Sequence, residues 1–461
     1  MYALLDILDA PPLYYMQTHM STNRTCDVAN ASQGVIPGSP ISEERSVMRE
    51  LNVINDVDTE RHAFACGEHD CSGELITIET PVASELHMRC SPTKCHGWRE
   101  DFRSQAEAYY HCLPELLARA GGKAGHVVSE RVFFADFARD LKTFEEVRSA
   151  AYDRMGVPED LRPATTYIQQ PPARTVQKIE MQFHALVPRD EHEIRVQSFH
   201  DAATGTTAKL LDIAGVQHLL ITDIKGYSDD GTLPKDFRSQ CDQMWAHAER
   251  LLQHYGIKFT EVIRTWCYLV EMDRDYAEFN LSRNAFFSAA GVQRLPASTG
   301  IEAALWPKET LCSVDVYAIL NPDVVDVSVM HTPTLNEAAE YGSRFSRGMR
   351  VDLPDKSVLY ISGTASIDET GVTVHIGDIE KQIDRTLLNI QQLLQAQGAS
   401  FANLVQASTY LKHAEHLELY ERKLEEWGIR KLPNTLVEAG VCRPELLVEM
   451  EAIAVLPLGE R

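Results

Sequence analysis

The apolar and polar positions of this chain repeat one ordered set of patterns three times, at a period of roughly 135 residues. In residues 105–121, 240–256 and 382–398, apolar side chains recur at three- and four-residue spacing, which predicts an amphipathic helix in each copy. Each helix is predicted to end at a glycine: Gly121, Gly256 and Gly398. A strand-like run rich in β-branched and aromatic residues follows, then a second helical stretch and a last alternating strand. Each copy therefore predicts a strand hairpin, helix, strand, helix and strand.

Short sequence markers align the three copies. Each first helix follows a D-x-x-x-Q spacing, which reads DFRSQ, DFRSQ and DIEKQ and ends at Gln105, Gln240 and Gln382. A proline introduces the segment that leads to the last strand: Pro163, Pro296 and Pro433. One acidic residue is predicted to recur at the same point of that strand: Glu180, Asp315 and Glu449.

The repeats predict an α+β fold in which helices pack on mixed sheets in three tandem units. We place these units at residues 61–188, 189–323 and 324–461. Residues 1–60 lack the pattern, and their Asn, Ser, Gly and Pro clusters predict an irregular N-terminal arm.

Several motifs of the three copies resemble the Rid (YjgF) superfamily, over about residues 62–457. Its members are chorismate-mutase-like units that trimerise and place small-molecule sites in the clefts between neighbours, so the resemblance implies that this chain forms an intramolecular pseudo-trimer. In the imine and enamine deaminases of the superfamily, an arginine just after the proline holds the substrate carboxylate. This chain has Thr165, Ser298, and Asn434 or Thr435 at that place.

The second and third copies resemble a different branch, the chorismatases, which hydrolyse the enolpyruvyl ether of chorismate without a cofactor. The similar segments are RTWCYL at 264–269, FNLSRNAFF at 279–287, PASTGI at 296–301, SGTASI at 362–367, VHIGD at 374–378 and VCRPELLVEMEA at 441–452. The resemblance implies that Glu449 is the catalytic acid and that Cys442 shapes the product outcome. Where chorismatases usually carry Gly-His-Glu, this chain has residues 368–371, DETG.

The residues themselves fit enol-ether hydrolysis, which requires a carboxylic acid that stays protonated near neutral pH. On an alternating strand Glu449 and Glu451 share one face and repel each other, although either could instead face solvent. Arg443 is the first choice for a carboxylate clamp, while Arg264, Arg283, Arg347 and Lys412 are further candidates that could equally be surface or structural charges. Gly363 and Thr364 could let backbone approach a ligand, or could form a plain β-bulge. His375 could donate to a substrate oxygen or serve in a loop.

Composition restricts the possible partners. The formal charge of −23 repels a phosphate backbone, so we expect no binding to nucleic acid. No apolar stretch predicts a membrane span, and we expect a cytoplasmic protein that binds a small molecule. A cluster of cysteines and histidines in the first copy could bind a metal, but its spacing is more typical of reduced cysteines in loops. These residues are Cys66, His69, Cys71, His87, Cys90, Cys95 and His96. No nucleotide-binding motif is present, and we expect no cofactor. A fused trimer should be a monomer or a dimer of pseudo-trimers.

The leading hypothesis is a cofactor-independent chorismatase-like hydrolase that acts on chorismate or a related small cyclic carboxylate in secondary metabolism. Glu449 is its acid, Cys442 lines the pocket and the first copy is mainly architectural. Two alternatives stay open: a Rid-type deaminase acting on a reactive imine or enamine intermediate, and a catalytically inactive small-molecule-binding pathway protein.

Overall fold

The computed structural model describes residues 58–65, 72–91, 101–190, 194–320, 323, 325–333, 335–337 and 342–457. The predicted arm lies outside these ranges except for residues 58–60, which belong to the first strand. No helix in the described part of the chain is long and apolar enough to cross a bilayer.

Three similar α+β units follow one another along the chain. The elements of the first unit are β1 (Asp58–Ala65), β2 (Ser72–Glu79), β3 (Ala83–Ser91), α1 (Phe102–Ala118), β4 (Val127–Phe134), α2 (Phe137–Arg154), β5 (Ala164–Gln169) and β6 (Ile179–Pro188). Those of the second are β7 (Ile194–His200), β8 (Thr207–Ile213), β9 (Val216–Lys225), α3 (Phe237–His254), β10 (Val262–Leu269), α4 (Met272–Ala289), β11 (Ala297–Glu302) and β12 (Cys312–Ile319).

The third unit repeats the same order of elements. They are β13 (Asp326–Val329), β14 (Gly348–Asp352), β15 (Ser357–Ala365), α5 (Ile379–Gln395), β16 (Leu404–Leu411), α6 (Leu417–Glu426), β17 (Asn434–Glu438) and β18 (Val448–Leu456). In every unit the six strands lie in the order first, second, third, sixth, fourth, fifth. The fourth and fifth strands are parallel and the other neighbours are antiparallel, so each sheet is mixed as predicted.

Each unit has its own core between its helices and one face of its sheet. Strand alternation separates the two faces: Met88 packs in the first core, while the neighbouring His87 lines an internal cavity on the other face. Apolar residues at helical spacing thus cover one side of each sheet and leave the opposite side for contacts between units.

The D-x-x-x-Q spacing has a structural explanation. Its aspartate caps the first helix of each unit and accepts a hydrogen bond from a backbone N–H three residues on, which satisfies one of the free donors of the first turn. These aspartates are Asp101, Asp236 and Asp378. The glutamine Oε1 accepts a backbone N–H just before or at the start of the last strand, so it fixes the helix to that strand. The pairs are Gln105 with Lys178, Gln240 with Leu311 and Gln382 with Leu447.

The units contact one another in a cycle. The parallel edge strand of each unit packs against the sheet of the next, β5 on β9, β11 on β15 and β17 on β6. Single β-bridges join neighbouring units, such as Ala297 to Ser346 and Pro172 to Val437. The tandem α+β units are confirmed, and the cyclic contacts support the pseudo-trimer, whose symmetry stays a prediction.

Strand register corrects one sequence expectation. The seventh residues of β4 and β16 pair with Glu180 and Glu449, so these two acids occupy the same position. The seventh residue of β10, Tyr268, pairs with Ser313 instead. Asp315 lies two residues further on, at the position of Glu451, so the predicted equivalence of Asp315 with Glu449 is wrong.

Candidate active site

Glu449 lies on β18 in the cleft between the second and third units, with 3% of its surface exposed. The paired strand β15 has an irregular register at Ser362 and Gly363, opposite β18. A Cβ at Gly363 would overlap the Glu449 carboxylate and come within 3.1 Å of Thr299 Cγ2 from the second unit. Gly363 N donates to Thr299 Oγ1 at 3.0 Å. The bulge therefore makes room for the acid, and a side chain at this position would displace the Glu449 carboxylate.

The Glu449 carboxyl is set up to remain protonated. Burial, reinforced by the negative charge of Glu451, raises its pKa from 4.5 to about 8, although Arg264 and Arg347 act in the opposite direction. Cys442 Sγ donates to its Oε2 at 4.0 Å. Across the described residues, no basic group forms an ion pair with Glu449. A buried carboxyl of this kind is neutral at pH 7 and can donate a proton.

Glu451 has the opposite electrostatic setting. Arg131 Nη1 lies 2.9 Å from Oε1 and Arg264 Nη2 lies 2.7 Å from Oε2, while Trp266 Nε1 donates to Oε1 at 3.2 Å. Against the effect of burial, the two guanidinium groups hold the pKa of Glu451 below its usual range. Glu451 is thus a buried anion that raises the pKa of Glu449 two residues away.

All three units contribute to this cluster. The fifth residues of β4, β10 and β16 are Arg131, Trp266 and Ser408. Arg131 and Trp266 both donate to Glu451, and Ser408 pairs with Glu451 across the sheet and accepts from Arg131 at 3.3 Å. Arg131 also donates to Tyr268 at 2.9 Å. The first unit therefore reaches the environment of the third unit's acid.

The three equivalent strand positions differ in chemistry. Glu180 is buried in an ion pair with Arg89, with Arg89 Nε 2.8 Å from Oε1. In the second unit the position is Ser313, which cannot supply a proton at neutral pH. Glu449 is the member of this set that combines a carboxyl group with the absence of an ion pair among the described residues.

The structure places the predicted cations at different distances from the acid. Arg264 and Arg347 are buried and both act on the pKa of Glu449. Arg347 donates to the backbone oxygen of Asn336 at 2.9 Å and to its side chain at 3.2 Å. Arg443 Nη1 donates to Gly371 O at 2.8 Å and to Thr373 at 3.1 Å, so it holds the loop after β15. Lys412 donates to Pro444 O. Roles in substrate binding stay predictions for all four.

The remaining predicted site residues lie as follows. Cys442 is partly buried beside Glu449, and burial raises the pKa of its thiol to about 12, so it is not a ready nucleophile. Thr364 is buried and donates to Ser362 O at 2.8 Å. His375 is exposed and has a positive φ of 61°, and its backbone oxygen accepts from Asp378 N at the start of α5. This geometry favours the loop role for His375.

The two described members of the first unit's cysteine and histidine cluster, His87 and Cys90, lie on opposite faces of the sheet. Cys66, His69, Cys71, Cys95 and His96 lie outside the described residues. Cys90 packs in the core, whereas His87 lines a cavity of about 180 Å³ on the other face, so these two cannot share one metal ion.

Glu85, His87 and His184 bring ligand atoms within 4.8 Å of one another in this cavity. Two features oppose metal binding there. The two imidazole rings stack at 16°, so their lone pairs do not converge, and the Lys356 ammonium lies 2.9 Å from Glu85 Oε2.

Sequence reasoning missed two neighbours of the paired acids. Arg131 contacts Glu451, and Thr299 contacts Gly363 beside Glu449. A cation inside the apolar strand run VVSERVFF was the available signal for Arg131. Thr299 lies in the PASTGI segment, but its contact with Gly363 depends on the packing of two units.

Comparisons with known proteins agree with this architecture. The family model described as Endoribonuclease L-PSP matches residues 222–320 and 337–456. A RutC family protein of Pyrococcus abyssi is 36% identical over 98 residues, which cover 21% of this chain and 76% of that protein. A chorismatase of Streptomyces rapamycinicus is 26% identical over 222 residues, covering 42% of this chain and 64% of that protein.

A solved chorismatase structure shares the fold, with a TM-score of 0.54 and 17% identity, over 72% of this chain and 94% of that one. At that identity the likeness shows the fold alone. The sequence relatives and the three similar sheets together identify the family. The chain belongs to the Endoribonuclease L-PSP family, the Rid superfamily, and carries three tandem units of its fold.

Proposed function

We propose that this protein is a cofactor-independent, chorismatase-like hydrolase that cleaves the enolpyruvyl ether of chorismate or a related small cyclic carboxylate. The observation that carries the proposal is Glu449, a buried carboxyl with a pKa of about 8 in a cleft between two units. Similarity to a chorismatase over 222 residues supports the same assignment.

In the proposed reaction, Glu449 gives its proton to the methylene carbon of the enol ether. The neighbouring ether carbon becomes an oxocarbenium ion, and a water molecule adds to it while the Glu449 carboxylate takes a proton from that water. The resulting hemiketal breaks its bond to the ring oxygen, which takes the proton of the hemiketal hydroxyl and leaves as an alcohol, and pyruvate forms. Glu449 ends the cycle protonated, so no oxidant, reductant or cofactor enters the balance.

The charges around Glu449 fit this sequence. Proton transfer leaves a positive ether carbon and a negative carboxylate within a few ångströms of each other, and Glu451 adds a second fixed anion nearby. A developing cation gains stabilisation from both carboxylates in a site that excludes bulk water. Arg264 and Arg347 limit the rise in the pKa of Glu449, so that the acid stays strong enough to protonate carbon.

Pyruvate release from chorismate by the purified protein tests the proposal, with lactate dehydrogenase and NADH as the readout. We expect pyruvate release that Glu449→Gln abolishes and that Glu425→Gln leaves unchanged. Glu425→Gln is the matched control, because it also removes one carboxyl from the third unit but at an exposed position. Pyruvate at the uncatalysed rate from the unsubstituted protein would reject the hydrolase. Faster disappearance of a 2-imino acid generated in situ would then favour the deaminase alternative.

A further inference from the structure

Another buried cation lies where the second unit meets the third, the boundary at which Glu449 also lies. Arg283 on α4 is 3% exposed, and its guanidinium lies 4.9 Å from the ring centre of Phe279 and 5.7 Å from that of Phe345 in the third unit. Its Nη2 donates to Asn280 Oδ1 at 2.6 Å, and its buried Nε has no hydrogen-bond partner among the described residues. No carboxylate in the described part of the chain forms an ion pair with it. A charge buried in this way is costly unless something else compensates it.

The first unit shows what a compensated version looks like. Arg148 is the twelfth residue of α2, as Arg283 is the twelfth of α4. It forms an ion pair with Glu130, the fourth residue of β4, which is 1% exposed. Glu130 also accepts hydrogen bonds from Tyr110 at 3.2 Å and Tyr152 at 3.0 Å. The first unit therefore supplies its own anion and two hydroxyl groups to stabilise that anion.

The second unit has the arginine but has neither the buried glutamate nor the two tyrosine hydroxyl groups at the equivalent positions. The fourth residue of β10 is Thr265, which donates to Ser298 at 2.9 Å. The positions of the two tyrosine hydroxyls hold Trp245 and Phe287, at the ninth residue of α3 and the sixteenth of α4. The anion partner is absent, although the buried cation is retained.

We propose that Arg283 binds a carboxylate of the small molecule that occupies the cleft between the second and third units, so that the ligand supplies the counter-ion that Glu130 supplies in the first unit. The inference deepens the proposed function, on which it rests for the identity of that ligand as the substrate. Phe345 connects Arg283 to the surroundings of the acid, because the guanidinium of Arg347, which acts on the pKa of Glu449, lies 5.6 Å from the centre of the same ring. Guanidinium is suited to such capture because its paired N–H groups match the two carboxylate oxygens.

Calorimetric titration with benzoate and its neutral analogue benzamide tests this assignment without requiring turnover. We expect benzoate to bind at least about tenfold more tightly than benzamide, and Arg283→Gln to remove that preference. Arg283→Lys should recover part of the benzoate affinity, because it restores the charge without the fork.

Thermal melting separates binding from a structural role. Arg283→Gln should leave the melting temperature unchanged or raise it, because the protein gives this cation no anion. The matched change Arg148→Gln should lower it, because it leaves Glu130 buried without its partner. An Arg283→Gln variant that binds benzoate like the unsubstituted protein, or that melts as low as Arg148→Gln, would overturn the assignment. So would an unsubstituted protein that fails to bind benzoate at millimolar concentration.

The outcomes for the clamp and for the hydrolase are distinguishable. Benzoate binding that depends on Arg283, without pyruvate release from chorismate, would keep the carboxylate site and reject the hydrolase. Pyruvate release that Arg283→Gln leaves unchanged would keep the hydrolase and reject the clamp.

Discussion

The raised pKa of Glu449 should make the stability of the protein depend on pH in a way that Glu449→Gln removes. In the unfolded chain this carboxyl ionises near 4.5, whereas in the folded protein it does so near 8. Between these values the folded state binds more protons than the unfolded state, so raising the pH destabilises the fold. The contribution is complete below the lower value and is lost as the pH rises through the higher one.

The size of the effect follows from the two pKa values. Each pH unit in this window lowers the free energy of unfolding by about 1.4 kcal/mol. At pH 7 the protein is therefore about 3 kcal/mol less stable than it would be with a side chain that does not titrate at this position. Glutamine has nearly the shape of the protonated acid and does not ionise. The stability of Glu449→Gln relative to the unsubstituted protein should therefore increase by about 3 kcal/mol between about pH 5.5 and about pH 8.5.

Urea unfolding followed by tryptophan fluorescence at these two pH values measures the difference. Titrating groups far from Glu449 are present in both proteins, so their contributions cancel in the comparison, whereas Glu451 is coupled to Glu449 and belongs to the measured effect. The exposed variant Glu425→Gln should give a pH profile parallel to that of the unsubstituted protein. Parallel profiles for Glu449→Gln and the unsubstituted protein would refute the reasoning, because Glu449 would then ionise in its ordinary range.

Further predictions follow from the contacts of the acid. Pyruvate release should decline as the pH rises through about 8, as measured by a pH profile of kcat, because Glu449 loses the proton that it donates. Gly363→Ala should reduce kcat by about a hundredfold by displacing the carboxyl, whereas Gly125→Ala, with no atom within 4 Å of the added carbon, should leave it unchanged. Arg131→Gln should destabilise the fold by about 3–5 kcal/mol in urea unfolding, because it removes one partner of a buried ion pair with Glu451; equal stability would show that Arg264 suffices. Glu180→Gln should be destabilising for the same reason but should keep pyruvate release per folded molecule, and loss of release would give Glu180 itself a part in the reaction.

The local patterns of the sequence predicted the repeated units and the face of Glu449, since helical spacing and strand alternation depend on near neighbours. The position of Asp315 was not predictable in this way, because two strand positions two residues apart share one face and alternation does not tell them apart; the strand pairing places Asp315 at the position of Glu451. Arg443 was favoured for its place beside Cys442 in the chain, yet its guanidinium bonds to the loop at Gly371. Cys442 and Arg443 lie in a bend between β17 and β18, where no strand or helix period relates neighbouring side chains, so closeness in sequence did not place both in one pocket.

Contacts between units were beyond the sequence patterns for a different reason. Arg131 reaches Glu451 across 320 residues, and no local spacing encodes that approach. The sequence shows Glu130 in the first unit and Thr265 at the equivalent position of the second. The consequence for charge balance depends on Arg148 and Arg283, which the fold buries in these two units. Long-range charge partners therefore became assignable only with the packed units.

The most direct test of Glu449 as a carbon acid is the reaction of chorismate in deuterium oxide, followed by NMR of the pyruvate methyl group at early times. The account predicts pyruvate with one deuterium in that methyl group, formed by the unsubstituted protein and lost with Glu449→Gln. Pyruvate without solvent deuterium, or unchanged formation of the deuterated product by Glu449→Gln, would contradict it.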